Sequence, residues 1–550
     1  PGPAPTPRAA AEMARARRLA ALPWLAAVAA PARALVEGPW SDKGLPPEER
    51  ARRLVAAMTL DEKLAMLHGP SYPMQPQCSN VNLGSAGDQD LAECAYVGNV
   101  AANARLGIPP ITMNDGPQGF RDAWYPGTTT AWPSALAMAA SWDLAALRDW
   151  GAGMAREFRA KGANVLLGPG LCLARLPQNG RNFEYLAGED PYLGYALAKP
   201  VVRGIQSVGV VANAKHFALN SQETERAKVS EEADERVRHE LYYPPFEAAV
   251  AAGAGAVMCS YNKVNGTYAC ENPGILQRDL KGRMGFRGMV MSDWGAVHSP
   301  GSFQNGLDVD MPGTNGPISN LLSATSVDKL KRFSENYTSF LRQAAISVLT
   351  PIIHLRLHER PSCTPPHCEA ERSSIQRSPA HSALAREAAT SSVVLLKNEG
   401  GVLPLKGPVR VAVSGPAAQA PQLPGQDYYS GGGSGHVPAP TVKTPLTAIK
   451  ELAAAKGATV LDAPSADADV CVVVLGTTAS EGMDRRTMDL DGNADVDQAT
   501  QQCRKTVVLM QTPGAVLTPW REKVAAIANI FLAGEETASA WAAVLFGDAA

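Results

Sequence analysis

The sequence predicts an α/β protein of two domains, a (β/α)8-type barrel followed by an α/β sandwich. Short apolar runs, each stopping at a polar or charged residue, alternate with Ala-rich amphipathic stretches through the first part of the chain. Strand alternating with helix implies a parallel sheet, and several polar strand ends imply a barrel with one shared mouth. After a Pro-, His- and Ser-rich break, a second group of apolar runs separated by helices implies a layered sheet. The expected domains are 35–350 (barrel), 351–382 (atypical linker) and 383–550 (sandwich), preceded by an upstream and export segment, 1–34.

In that first segment, Met13-Ala-Arg-Ala-Arg-Arg18 is a basic region, Leu19–Ala30 a short apolar one, and Ala32-Arg-Ala34 an A-x-A cleavage site. Segregated basic and apolar blocks read as a secretory signal rather than a buried helix. Secretion, or delivery to a lytic compartment, is therefore expected. Nine cysteines in 550 residues agree with an oxidising environment.

Within the barrel region, Pro109–Asp115 ends in a carboxylate followed by Gly116-Pro-Gln-Gly-Phe-Arg121. Ala163–Pro169 leads to Asn179-Gly-Arg181-Asn-Phe-Glu184 and Gly188-Glu-Asp190. Val208–Phe217 ends in Lys215 and His216, and Gly255–Asn262 in Tyr261 and Asn262. Met289-Val-Met291 stops at Ser292-Asp293-Trp294-Gly295. A carboxylate beside an indole at a strand end offers a nucleophile next to a flat apolar face that can stack on a sugar ring. Asp143–Lys161 and Glu231–Ala252 read as helices.

These pieces, in this order from about Leu60 to Met311, resemble glycoside hydrolase family 3, particularly its β-glucosidase branch. Ser260-Tyr-Asn-Lys-Val-Asn-Gly266 and Gly188-Glu-Asp-Pro-Tyr-Leu193 belong to the same resemblance. It implies Asp293 as nucleophile, and Asp115, Arg181, Lys215, His216, Tyr261 and Trp294 as binders of a glucosyl unit. Arg121, Arg226, Glu184, Glu189 and Asp190 are expected to hold loops through ion pairs. Cys259 and Cys270 resemble a disulfide of secreted members, and Cys78 and Cys94 could pair likewise. Cys172, Cys471 and Cys503 are read as buried thiols.

The second half resembles the second domain of the same enzymes. Strands are expected at Val409–Ser414, Val470–Leu475, Thr506–Gln511 and Ile527–Leu532. Tyr429-Ser-Gly-Gly-Gly-Ser-Gly435 lacks the Lys-Ser/Thr ending of a phosphate loop and reads as a flexible surface loop. Thr477-Thr-Ala-Ser-Glu481-Gly-Met-Asp484-Arg485 resembles the family segment that delivers the acid/base glutamate, Glu481. Where family members continue beyond Ala550, often into a fibronectin type III-like domain, this sequence stops, so that domain is expected to be missing. A truncated sandwich with exposed apolar surface, less stable than a full-length relative, is expected with it.

Two carboxyls flanking a glycosidic bond suffice for retaining hydrolysis when about 5–5.5 Å apart. Asp293 is expected to stay ionised and Glu481 to carry the proton. An exo-acting β-glucosidase is the leading function, with a β-xylosidase or a degenerate, non-catalytic carbohydrate-binding homologue as alternatives. The substrate is expected to be a β-linked oligosaccharide or glucoside. Net charge −2 with 19% charged residues favours neither nucleic acid nor an anionic membrane, and no apolar run spans a bilayer. His354, His358, Cys363, His367 and Cys368 match no standard zinc spacing, so no metal or cofactor is expected. Asn265-Gly-Thr267 and Asn336-Tyr-Thr338 are glycosylation sequons, of which Asn265 is expected to be unmodified.

Overall fold

A computed structural model describes residues 35–69, 96–122, 124–313, 334–360, 363–365, 368–423, 425, 427–461 and 463–549. The expected signal segment, Cys78, Cys94, residues 314–333 and His367 lie outside the described residues. Six strands form the first sheet in the order β1 (Gly98–Val100), β2 (Ile111–Asp115), β3 (Val165–Leu167), β4 (Val211–Phe217), β5 (Ala256–Cys259) and β6 (Met289–Ser292). Parallel bridges carry the ring onward from Met291 to Val309 and from Asp310 to His68. There Gly69 packs on the backbone of Pro312, where a Cβ would lie 1.9 Å from the carbonyl oxygen. The strands are buried on both faces because helices cover the outside and side chains fill the inside.

One strand runs against the expectation. β1 pairs antiparallel with β2, Gly98 opposite Met113. The short connection between them has no room for a crossover helix, which a parallel pair requires. The helix Leu144–Ala160 forms as expected, with the Asp143 carboxylate accepting from the Ala145 and Ala146 N–H groups. Asp190 caps Pro191–Ser207 in the same way, with proline in the first turn. These helices pack closely because Gly204 bears no side chain: a Cβ there would meet the Arg148 carbonyl oxygen at 2.2 Å. The helix expected over Glu231–Ala252 is instead broken into Glu235–Val237, a π turn and Pro244–Ala251. Pro244 and Pro245 lack the N–H groups that a continuous helix would need.

The second sheet runs β7 (Val394–Asn398), β12 (Ala526–Ile530), β11 (Thr506–Gln511), β10 (Val470–Gly476), β8 (Arg410–Ser414) and β9 (Thr459–Leu461). Only β7 is antiparallel to its neighbour. In β10 the residues Val470, Val472 and Val474 enter one core and Cys471, Val473 and Leu475 the other. An unbroken apolar run is what a strand covered on both faces requires. Each such fully buried side chain contributes about 1.5–3 kcal/mol.

The segment 351–382, expected to lack regular structure, carries the end of helix Tyr337–His354, the short helix Glu369–Ser373 and the start of Pro379–Ser391. Polar anchors hold it to the barrel: Arg372 Nη2 donates to Asp122 at 3.2 Å, and His381 Nδ1 lies 2.8 Å from the buried Glu157. Composition hid this because the anchors are polar rather than periodic. Cys363 and Cys368 form a disulfide in the same segment. Cys259–Cys270 is bonded as the resemblance implied. Cys471 and Cys503 are a disulfide rather than two buried thiols, because the helix Asn493–Gln502 returns the chain to the face of β10. Cys172 remains a buried thiol.

Candidate active site

Asp115 ends β2, Lys215 and His216 lie in β4, and Tyr261 and Asp293 follow β5 and β6, so one end of the ring collects them. Asp293 is 7% exposed. Its Oδ1 accepts the Trp294 backbone N–H at 2.8 Å. Its Oδ2 is buried without a hydrogen-bond partner and lies 3.6 Å from His216 Nε2. Burial raises the Asp293 carboxyl, opposed by the charges of Arg181 and Arg226. Burial and the neighbouring cations Arg181, Lys215 and Arg226 push the His216 imidazole well below its ordinary value, so the ring is neutral. The Tyr261 phenol is pushed well up, by burial first and then by the charge of Asp293.

Arg181 is the hub. Its Nε and Nη2 donate to both oxygens of Glu184 at 2.8 and 2.9 Å, a planar fork on a planar carboxylate. Lys215 Nζ lies 3.7 Å from the same Glu184. The remaining arm, Nη1, donates to Glu481 Oε1 at 3.2 Å. Asp115 Oδ2 accepts Arg121 Nη1 at 3.0 Å, and burial raises its carboxyl against the pull of Arg121 and Lys215. The Trp294 indole N–H is tied to the Val97 carbonyl at 3.3 Å, which orients the half-buried ring.

Glu481 arrives from the second sheet, five residues beyond β10. Its Oε1 also accepts Arg226 Nη1 at 3.0 Å, and its Oε2 accepts the Ser434 backbone N–H at 2.9 Å. Burial alone would raise this carboxyl, but Arg181, Arg226 and the Ser434 N–H outweigh it and hold the group well below the usual carboxylate range. In the unliganded protein burial thus pulls the Asp293 carboxyl up while the two guanidinium groups pull Glu481 down. Asp293 is buried beside a neutral imidazole, while the guanidinium groups are spent on Glu481.

The glycine run corrects a second expectation. Ser430, Gly431 and Gly432 are buried, and the run is a scaffold for Glu481 rather than a flexible surface loop. Gly432 bridges Ser480, with its N–H on the Ala479 carbonyl at 2.9 Å. At Gly433, φ is +87° and a Cβ would lie 2.3 Å from Glu481 Cβ. Arg226 was read as a loop-holding residue. It does pair with Glu223, at 2.7 Å, but it also touches Glu481 and lies 4.4 Å from the centre of the Tyr261 ring. Strand-end position could not reveal Arg226 or Ser434, since neither sits at a strand end. Among the described residues no group of three or more acidic, His or Cys side chains could hold a metal ion.

The glycosyl hydrolase family 3 N-terminal domain matches residues 82–309 and the family's C-terminal domain matches residues 393–550. The chain is 34% identical to probable beta-glucosidase M of Neosartorya fischeri over 547 residues, covering 91% of this chain and 67% of the relative. It is 33% identical to beta-glucosidase cel3A of Pyricularia oryzae, covering 90% and 71%. The crystal structure of beta-D-glucoside glucohydrolase from Trichoderma reesei superposes with a TM-score of 0.77 at 30% identity, covering 93% of this chain and 73% of that one. The structure of beta-glucosidase 3B from Thermotoga neapolitana in complex with glucose gives 0.74 at 27% identity, covering 90% and 74%.

Proposed function

The chain belongs to glycoside hydrolase family 3, and from that premise we propose that it is a retaining β-glucosidase releasing terminal β-D-glucosyl residues from oligosaccharides or glucosides. The observation that carries this reading is the composite site: a barrel carboxylate, Asp293, with one buried oxygen that accepts no hydrogen bond, and a second-domain carboxylate, Glu481, held by the barrel's Arg181. The named activity of its relatives supports the glucosyl preference.

In this mechanism Asp293 Oδ2 attacks C1 while Glu481 donates a proton to the leaving oxygen, so the C1–O bond breaks and a glycosyl ester forms. Glu481, now a carboxylate, takes a proton from water, which attacks C1 and returns Asp293 with net retention. A buried carboxylate is suited to stabilise the positive charge that develops at C1. A sugar hydroxyl that recruits Arg181 Nη1 weakens the hold on Glu481 and raises its carboxyl toward protonation. Asp115 accepts from adjacent hydroxyls, Lys215 and neutral His216 donate to others, and Trp294 stacks against the ring. Tyr261 stands beside Asp293, whose charge helps keep the phenol protonated.

The three disulfides among the described residues support an oxidising location, in line with the export signal read in the sequence. No helix among the described residues is long and apolar enough to cross a membrane. The test is turnover of p-nitrophenyl β-glucoside, β-xyloside and β-N-acetylglucosaminide side by side. Preference for the glucoside is expected. Preference for the xyloside, or no turnover of any, would replace this reading by one of its alternatives.

A further inference from the structure

Three residues beyond Glu481, the Asp484 carboxylate makes four hydrogen bonds, and all four cross to the barrel. Its Oδ1 accepts the Gly180 N–H at 3.3 Å and the Glu223 N–H at 2.9 Å. Its Oδ2 accepts the Thr224 N–H at 2.8 Å and the Thr224 hydroxyl at 2.6 Å. Gly180 precedes Arg181, and Glu223 is the partner of Arg226, so Asp484 grips the two barrel loops that supply both guanidinium groups on Glu481.

The grip is reciprocal. Glu223 Oε2 accepts the Gly482 N–H at 2.7 Å, so each loop offers a carboxylate to the other's backbone. Arg485 adds its backbone N–H to the Gln178 carbonyl at 2.8 Å and its Nη2 to the Pro177 carbonyl at 2.8 Å. Between the two anchors the chain is stiff: Ser480 bridges Met483 across a tight turn, with Gly482 at φ +87°. The approach is close enough that a Cβ on Gly180 would lie 2.0 Å from the Met483 carbonyl oxygen.

We propose that Asp484 is a positioning residue, clamping the Glu481 arm onto both barrel loops and thereby setting where Glu481 meets the leaving oxygen. The inference rests on the reading of Glu481 as acid/base. Four charge-assisted bonds to one carboxylate, with no partner in its own domain among the described residues, make it a connection between domains rather than a local turn. An acid displaced by about 1 Å loses on the order of 10² in rate on a leaving group that needs a proton. The same displacement leaves a leaving group that departs unprotonated almost untouched.

The experiment compares kcat/KM for cellobiose and 2,4-dinitrophenyl β-glucoside in Asp484→Ala, Asp484→Asn and Glu481→Ala. Because both substrates are read on one preparation, their ratio does not depend on the fraction that folds. In Asp484→Ala the cellobiose value is expected to fall by on the order of 10² and the dinitrophenyl value by less than about threefold. Asp484→Asn keeps one acceptor oxygen and is expected to fall between. If Glu481→Ala shows the leaving-group signature while both Asp484 variants lower the two substrates equally, or neither, Asp484 does not position the acid. If Glu481→Ala itself shows no leaving-group dependence, the acid/base reading fails first.

Discussion

Arg181 donates at once to Glu184, a few residues along the same barrel loop, and to Glu481, which comes from the other domain. The first contact fixes the guanidinium plane and the second fixes the domain. A side chain used in this way is 1% exposed although it carries a full charge, which is sustainable only because both neighbours are anionic. The two domains are thus tied together by a group that lines the cleft.

The nucleophile assignment predicts that Asp293→Ala abolishes turnover, because no other group can form the glycosyl ester. In the wild-type protein, NMR during hydrolysis of a β-glucoside should show β-glucose released first. Initial α-glucose would remove Asp293 from the nucleophile role.

For Glu481→Ala, substrates with activated leaving groups should retain far more activity than cellobiose. Added azide should restore part of the rate and yield a β-glucosyl azide, since the anion needs no base to attack the ester. Equal losses on both substrates with no azide product would assign the proton to another group.

Gly433→Ala should lower cellobiose turnover by on the order of 10², because its Cβ would press on Glu481 Cβ and, at 3.0 Å, on Oε2. The positive φ adds strain of its own. Circular dichroism should show the fold retained. Wild-type rates would mean that the scaffold yields rather than Glu481.

Asp310 supplies a pH-dependent prediction. It is 5% exposed, and burial alone pushes its carboxyl up from 3.8 to about 7. The folded protein therefore holds a proton that the unfolded chain releases near pH 4. Its stabilising contribution is complete below that pH and is lost as pH rises through about 7. Asp310→Asn should unfold at a higher temperature than wild type at pH 8, and the gain should vanish at pH 4. A gain of the same size at both pH values would contradict the raised carboxyl.

Cys471–Cys503 closes a loop of sequence separation 32, so Cys503→Ser should cost about 3–4 kcal/mol. Chemical unfolding followed through the second domain should show the shift. An unchanged midpoint would mean that the packing of Asn493–Gln502 already supplies the constraint.

The strand ends were legible because a barrel places its polar groups where apolar runs stop, which exposes Asp115, Lys215, His216, Tyr261 and Asp293 to pattern reading. The sandwich strands were legible for the complementary reason, since β10 is apolar along nearly its whole length. What pattern could not carry was pairing at long range. Cys471 and Cys503 look like isolated thiols until Asn493–Gln502 is folded. The reversed β1 depends on a loop length rather than on the strand itself. Arg226 and Ser434 reveal their roles only through Glu481, which is distant in the chain. The opposite pulls on Asp293 and Glu481 were hidden for the same reason: the charges that set them come from two domains.

Catalysis by this molecule also has a timetable. Arg181 and Glu481 are 300 residues apart, so at a synthesis rate of roughly 5–20 residues per second Glu481 emerges roughly 15 to 60 s after its partner. Throughout that interval an emerged barrel loop carries Arg181 without Glu481. With Glu481 in the proposed role, turnover of an unactivated glucoside reports the finished docking event, and a nascent or misdocked chain is silent toward such glycosides.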